Sequence, residues 1–264
     1  MAAKFAGLHG WRKPCERSRR RAIGDIVDAD SRVHVHSPPP THVKKVLVID
    51  IGGSNIKLFV TGRPGRLKIP SGPALTPRRL VQEVKKATVG WRYDVVSIGY
   101  PGPVVRGKIA AEPVNLGSGW MRFNFARSLG RPVRLINDAA MQALGSYRGR
   151  SMLFLGLGTG LGTTLVRGGV VVPLEAAHLP YRNGKSYEEF IGEAGMLRMG
   201  KQKWREHVFI VVELMLAAFV ADYAVLGGGN VRLLDELPPS SRRGKNANAF
   251  RGGERLWLND IVCV

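Results

Sequence analysis

Val46-Leu-Val-Ile-Asp50-Ile-Gly-Gly-Ser-Asn-Ile-Lys-Leu-Phe-Val60 is the stretch that decides the fold. Val46 to Ile51 is a short aliphatic run rich in β-branched residues; it breaks at Gly52-Gly53, and a second strand-like run covers Ile56 to Val60. The spacing predicts a β-hairpin with Asp50 at the mouth of its turn. Two glycines without side chains let backbone N–H groups approach an anion there.

Further along, Thr76 to Ala87 is helix-compatible, and Asp94 to Gly99 reads as a buried strand ending in Tyr100-Pro-Gly-Pro103. Strand, turn, strand, helix, strand is the order of one α/β lobe. Beyond Glu112-Pro-Val-Asn-Leu116, a helix from about Met121 to Leu129 leads to the strand Pro132 to Ile136. That strand runs into Asn137-Asp138-Ala-Ala140, which sets Asp138 between strand end and helix start. Polar residues at the carboxyl ends of sheet strands face the ligand crevice of α/β proteins. An aspartate opening a helix also suits an N-cap, and both readings stand at this point.

The hairpin pattern then recurs. Ser151 to Leu157 is an apolar strand, Gly158-Thr-Gly-Leu-Gly162 a tight turn, and Thr163 to Val166 a resumed strand. Two such hairpins, one per lobe, can hold a phosphate chain from both sides, with backbone amides and the hydroxyls of Ser54 and Thr159 as donors. A third glycine cluster follows a helical region from about Lys201 to Phe219. There the strand Asp222 to Leu226 ends in Gly227-Gly-Gly-Asn230 before a new helix, leaving another turn open to close approach.

Composition bounds the rest. With 264 residues, 44% of them hydrophobic, the chain can bury a sizeable core without covalent staples. Its two cysteines, Cys15 and Cys263, have no metal-ligand spacing, so no zinc is expected and a reducing, cytoplasmic setting is. A net charge of +20 attracts polyanions at long range. The basic residues are spread along the chain without a helix-turn-helix, RNA-binding or zinc-finger pattern, so nucleic acid is not an expected partner. Residues 1–43 carry Ser18-Arg-Arg-Arg21 and a triple proline at Pro38-Pro-Pro40, with no sustained apolar periodicity. They are expected to be a disordered basic N-terminal arm. No apolar run there suits a secretory signal or a membrane span, and Glu16, Asp25, Asp28 and Asp30 argue against a transit peptide.

Five segments together resemble the ordered motifs of the ROK sugar kinases, relatives of actin, Hsp70 and hexokinase: Asp50-Ile-Gly-Gly-Ser-Asn-Ile-Lys57, Asn137-Asp138, Gly156-Leu-Gly-Thr-Gly-Leu-Gly162, Glu175-Ala-Ala-His178 and Leu226-Gly-Gly-Gly-Asn230. Gly200-Lys-Gln-Lys-Trp204, Leu237-Pro-Pro239 and Asn246 to Trp257 are similar to the polyphosphate glucokinase branch, so the likeness runs from Val46 to Trp257. It implies an α/β fold of the actin-like ATPase (ribonuclease H-like) type, duplicated into two lobes about a central cleft. The expected lobes are residues 44–137 and 138–264.

The resemblance also implies roles. Asp138 would be the general base that takes the proton of the 6-hydroxyl of glucose or a similar hexose. Gly102, Asn115, Asn137, Asp138, Glu175 and His178 would contact the sugar, with a second glutamate, Glu188 or Glu193, left open. Asp50 would sit near Mg²⁺ through water. Gly52, Gly53, Ser54, Asn55 and Lys57 would hold the donor from the first turn, Gly158, Thr159, Gly160 and Gly162 from the second, and Gly228, Gly229 and Asn230 from the third. The donor is polyphosphate, ATP or both; Lys201, Lys203, Arg205, Arg242 and Arg243 are candidates for a basic track along a polyphosphate chain.

The chain departs from the family in three places. It has no cysteines for the zinc motif common among ROK proteins, Ala177 replaces the glycine usual before the histidine, and Ala140 stands where many relatives have an acid. The alternative is therefore a catalytically weak or inactive ROK-type sugar-binding protein or regulator. A repressor would need a DNA-binding domain, and the arm before Val46 shows no paired amphipathic helices. The aliphatic stretch Val208 to Val220 suits a buried or subunit-contacting helix, and the family implies a homodimer.

Overall fold

The computed structural model describes residues 44–264; the expected arm of residues 1–43 lies outside the described residues. Residues 46–137 form β1 (Val46–Ile51), β2 (Asn55–Val60), β3 (Leu67–Pro70), α1 (Pro77–Ala87), β4 (Val95–Tyr100), β5 (Val104–Val105), β6 (Lys108–Ile109), α2 (Phe125–Leu129) and β7 (Val133–Asn137). The chain continues through α3 (Asp138–Ser146), β8 (Ser151–Leu157), β9 (Leu161–Arg167), β10 (Val170–Leu174), β11 (Pro180–Arg182) and β12 (Lys185–Ser186). It ends with α4 (Tyr187–Ile191), α5 (Glu193–Met199), α6 (Lys201–Ala218), β13 (Tyr223–Gly227), β14 (Ser241–Arg243), α7 (Asn248–Arg255) and β15 (Val262–Cys263).

The repeat read from the glycine hairpins is a repeat of whole sheets. One sheet has the order β3-β2-β1-β4-β7 and the other β14-β13-β8-β9-β10-β15. In each, an antiparallel hairpin (β1 with β2, β8 with β9) is flanked by a parallel strand on its first member, β4 beside β1 and β13 beside β8. Read from the hairpin outward, β3-β2-β1-β4-β7 and β10-β9-β8-β13-β14 are the same arrangement. β15 is an addition at the second sheet's edge.

Strands β1 and β8 are buried on both faces, which is why they read as unbroken aliphatic runs rather than alternating ones. Leu47, Ile49 and Ile51 pack with Leu80, Val84 and Trp120 on one side, while Val46 and Val48 face a middle cluster with Met141, Phe154 and Phe250. On β8, Met152 and Phe154 join that middle cluster, and Leu153, Leu155 and Leu157 pack against Trp204, Val208 and Val212 of α6. The middle layer is formed by α3 and α7. They cross so closely at Gly145 and Gly252 that a β-carbon on either would collide with backbone of the other helix.

Two local expectations are corrected. The helix expected from Met121 begins only at Phe125, capped by Asn124. Upstream, the Glu112 carboxylate accepts the N–H groups of Trp120 and Met121 at 3.1 and 3.2 Å and holds that stretch as a turn. The segment after Asn230 is a short 3-10 turn, Gly229–Leu233, rather than a full helix.

Candidate active site

A cavity of about 720 Å³ opens between the ends of the two sheets. The first sheet contributes Gly102 to Val105, which follow β4, and Asn137 and Asp138, where β7 becomes α3. From the second come the turn Gly158 to Gly162, Leu174 and Glu175 at the end of β10, and Gly228 after β13. Glu188 of α4 closes one side.

Asp138 is the first residue of α3, not its cap. Asn137 caps the helix, its side-chain oxygen accepting the N–H of Ala140 at 3.0 Å, while its amide donates to the Gly102 carbonyl at 3.1 Å. Asn137 therefore fixes the corner on which Gly102 and Asp138 both stand. The Asp138 carboxylate accepts the N–H of Ala139 at 2.8 Å and lines the cavity beside the second glycine turn. Its pKa is raised to about 7, chiefly by burial and then by the charge of Asp50; the Ala139 N–H and Lys57 pull the other way. Asp50 is buried and holds the Lys57 ammonium at 2.9 Å.

Of the sequence-predicted residues, Gly102, Asn137, Asp138, Glu175, Gly158, Thr159, Gly160, Gly162 and Gly228 line the cavity. Asp50, Gly52, Gly53, Ser54, Asn55, Lys57, Asn115, His178, Gly229 and Asn230 are not on its wall, but several are tied to it. His178 pairs with Glu175 at 3.3 Å, both largely exposed. Asn115 lies beside Gly53. The Asn230 amide donates to the Gly158 carbonyl at 3.1 Å, bracing the second turn.

The open choice of glutamate is narrowed by position. Glu188 reaches the cavity, whereas Glu193 meets the turn through its backbone N–H, which donates to the carbonyls of Gly158 and Thr159. Gln142 on the cavity wall was missed; it lies one helical turn after Asp138, a spacing legible once α3 is placed.

The expected basic track is partly corrected. Arg205 is held by Asp235 and the Leu233 carbonyl, Arg242 by the Ser146 carbonyl and the Tyr223 hydroxyl, and Arg243 by the Leu234 carbonyl. These three guanidinium groups anchor the fold; Lys201 and Lys203 are exposed at the start of α6. Among the described residues no three His, Cys, Asp or Glu side chains gather into a metal cage.

No protein-family model matches the chain. It is 26% identical over 226 residues to the polyphosphate glucokinase of Mycobacterium tuberculosis, covering 77% of this chain and 84% of that protein. The crystal structure of the inorganic polyphosphate/ATP-glucomannokinase of Arthrobacter sp. strain KM superposes with a TM-score of 0.68 at 22% identity, over 80% of this chain and 97% of that one. A ROK family glucokinase from Streptomyces griseus in complex with glucose and AMPPNP gives 0.65 at 17% identity, over 80% and 98%.

The fold is that of the ROK sugar kinases, of the actin-like ATPase type. Within that class its sequence likeness is to the polyphosphate glucokinases.

Proposed function

We propose that the chain transfers a phosphoryl group from inorganic polyphosphate, ATP or both to the 6-hydroxyl of glucose or a similar hexose, with Asp138 as general base. The observation that carries this reading is the position of Asp138, a carboxyl of pKa about 7 in a cavity walled by the glycine turn Gly158 to Gly162. A base poised near neutral pH combines a useful ionised fraction with proton affinity. The hydroxyl proton passes to the Asp138 carboxylate as the hydroxyl oxygen bonds to phosphorus and the donor's bridging oxygen departs with the bonding pair.

Glu175, Glu188 and Asn115 supply acceptors and an amide for the remaining sugar hydroxyls, and His178 an imidazole. Asn137 acts by holding the Gly102 corner. Residues 44–137 and 138–264 serve as the two lobes, closing on the sugar to exclude water. Buried Asp50, its charge reaching Asp138, suits an Mg²⁺ held through water, which would supply charge neutralisation to the donor phosphates. A homodimer belongs to the same proposal. Among the described residues no helix is long and apolar enough to cross a membrane.

The test is glucose phosphorylation with purified polyphosphate and with ATP over a range of salt. Glucose 6-phosphate from either donor supports the reading. No product with polyphosphate at any salt removes that donor, and no product with both leaves the binding-only alternative.

A further inference from the structure

We propose that the Glu188 side chain blocks the second phosphate-holding turn until an acceptor sugar draws it away, so that donor binding is gated by the acceptor. This deepens the kinase reading and rests on it.

A turn that holds phosphate does so by presenting free N–H groups to the anion. Here one is already taken: Glu188 Oε2 accepts the Leu161 N–H at 3.0 Å. The same oxygen fills the space above Gly160, where a β-carbon would collide with it. A carboxylate thus lies against the turn that the donor must enter, and an incoming phosphate chain meets both a like charge and a missing donor.

The backbone that carries Glu188 is hydrogen-bonded to the turn region. Gly192 N–H donates to the Glu188 carbonyl at 2.8 Å, and Glu193 N–H to the carbonyls of Gly158 and Thr159 at 3.1 and 3.2 Å. A β-carbon at Gly192 would stand 2.7 Å from the Glu188 carbonyl and 3.0 Å from that of Thr159, so the junction packs too closely for a side chain there. The side chain is held more lightly. Its neighbour Glu189 pairs with Lys185, whereas no ion pair to Glu188 occurs among the described residues.

Glu188 shares its cavity with Asp138 and Glu175, where a hexose would lie. Sugar O–H groups are donors that can replace the Leu161 N–H as partner of the carboxylate. The swing frees that N–H and withdraws the charge, and the donor then binds next to an acceptor rather than to water. By linkage, a bound donor must tighten the sugar by the same factor.

The experiment is calorimetric titration of the full chain with tripolyphosphate, with and without saturating glucose. In the wild type, glucose is expected to tighten tripolyphosphate about tenfold. In Glu188→Ala, which removes both the charge and the acceptor oxygen on the Leu161 N–H, the sugar-free affinity should match the glucose-bound wild type, with a remaining effect of glucose below about twofold. Wild-type coupling below that level, or full coupling retained in Glu188→Ala, overturns the gate. A second readout needs no variant: glucose alone should move the Leu161 amide resonance and speed its hydrogen exchange, and an unmoved Leu161 overturns the proposal. Glucose 6-phosphate formation separates the two levels. A wild type that makes product without coupling sinks only the gate, and one that neither binds tripolyphosphate nor makes product sinks both.

Discussion

Asp50 and Asp138 stand on either side of Gly99, at the carboxyl ends of β1 and β7, and the charge of Asp50 reaches the Asp138 carboxyl. Asp50 pairs with Gly99, and Gly99 pairs with Ile136. A β-carbon at Gly99 would lie 3.5 Å from the Asp138 Cα and collide with the Met141 methyl. The missing side chain lets α3 sit down on β4 and brings the two acids together. Lys57 offsets part of the repulsion through its ion pair with Asp50.

The pH dependence of turnover follows. Asp138 must be ionised to accept a proton, so kcat/KM should rise with pH and level off above about 7. Asp50→Asn removes a charge that raises the Asp138 pKa and should move this limb to lower pH, whatever it does to the maximal rate. Lys57→Met should move it to higher pH. Three coincident limbs in the pH–rate profiles would refute the coupling.

Stability carries the same shift with its own sign. Because folding raises the Asp138 pKa from 3.8 to about 7, its contribution is present below the unfolded pKa and is lost as pH rises through the folded one. Asp138→Asn should therefore melt above the wild type at pH 8, by on the order of 1–3 kcal/mol, with the difference vanishing toward pH 4. Thermal unfolding at the two pH values checks this.

Gly145→Ala and Gly252→Ala each place a methyl into backbone of the facing helix. Each should cost about 1–3 kcal/mol or more, read from chemical denaturation. Wild-type stability in either would mean that α3 and α7 do not cross as described.

Gly158→Ala is the contrasting case. No heavy atom lies within 4 Å of its added methyl, and the backbone there needs no left-handed conformation. The melting temperature should be unchanged while the donor KM rises about tenfold, because the methyl intrudes only on an anion held by that turn. An unchanged donor KM would remove the turn from the donor site.

Much of this was legible in the chain, for local reasons. β1 and β8 announce themselves because strands buried on both faces are aliphatic throughout, and each breaks at glycines that the turn requires. Asp138 could be placed because strand and helix patterns meet there. What escaped was set by distant partners. Glu112 reaches forward to hold Trp120 and Met121, shortening a helix that periodicity alone extends. Arg205, Arg242 and Arg243 read as free charge until the carbonyls and hydroxyl that hold them are seen. Glu188 and Glu193 are indistinguishable in sequence; the α4–α5 junction turns one side chain into the cavity and only the backbone of the other toward the turn.

The central claim is that Asp138 accepts the acceptor's proton during phosphoryl transfer. Its most direct test is the single-turnover rate of glucose phosphorylation by Asp138→Asn, measured beside glucose affinity. The account predicts a rate lower by about 10²- to 10⁴-fold with glucose binding nearly unchanged. A variant that phosphorylates glucose at the wild-type rate would contradict it.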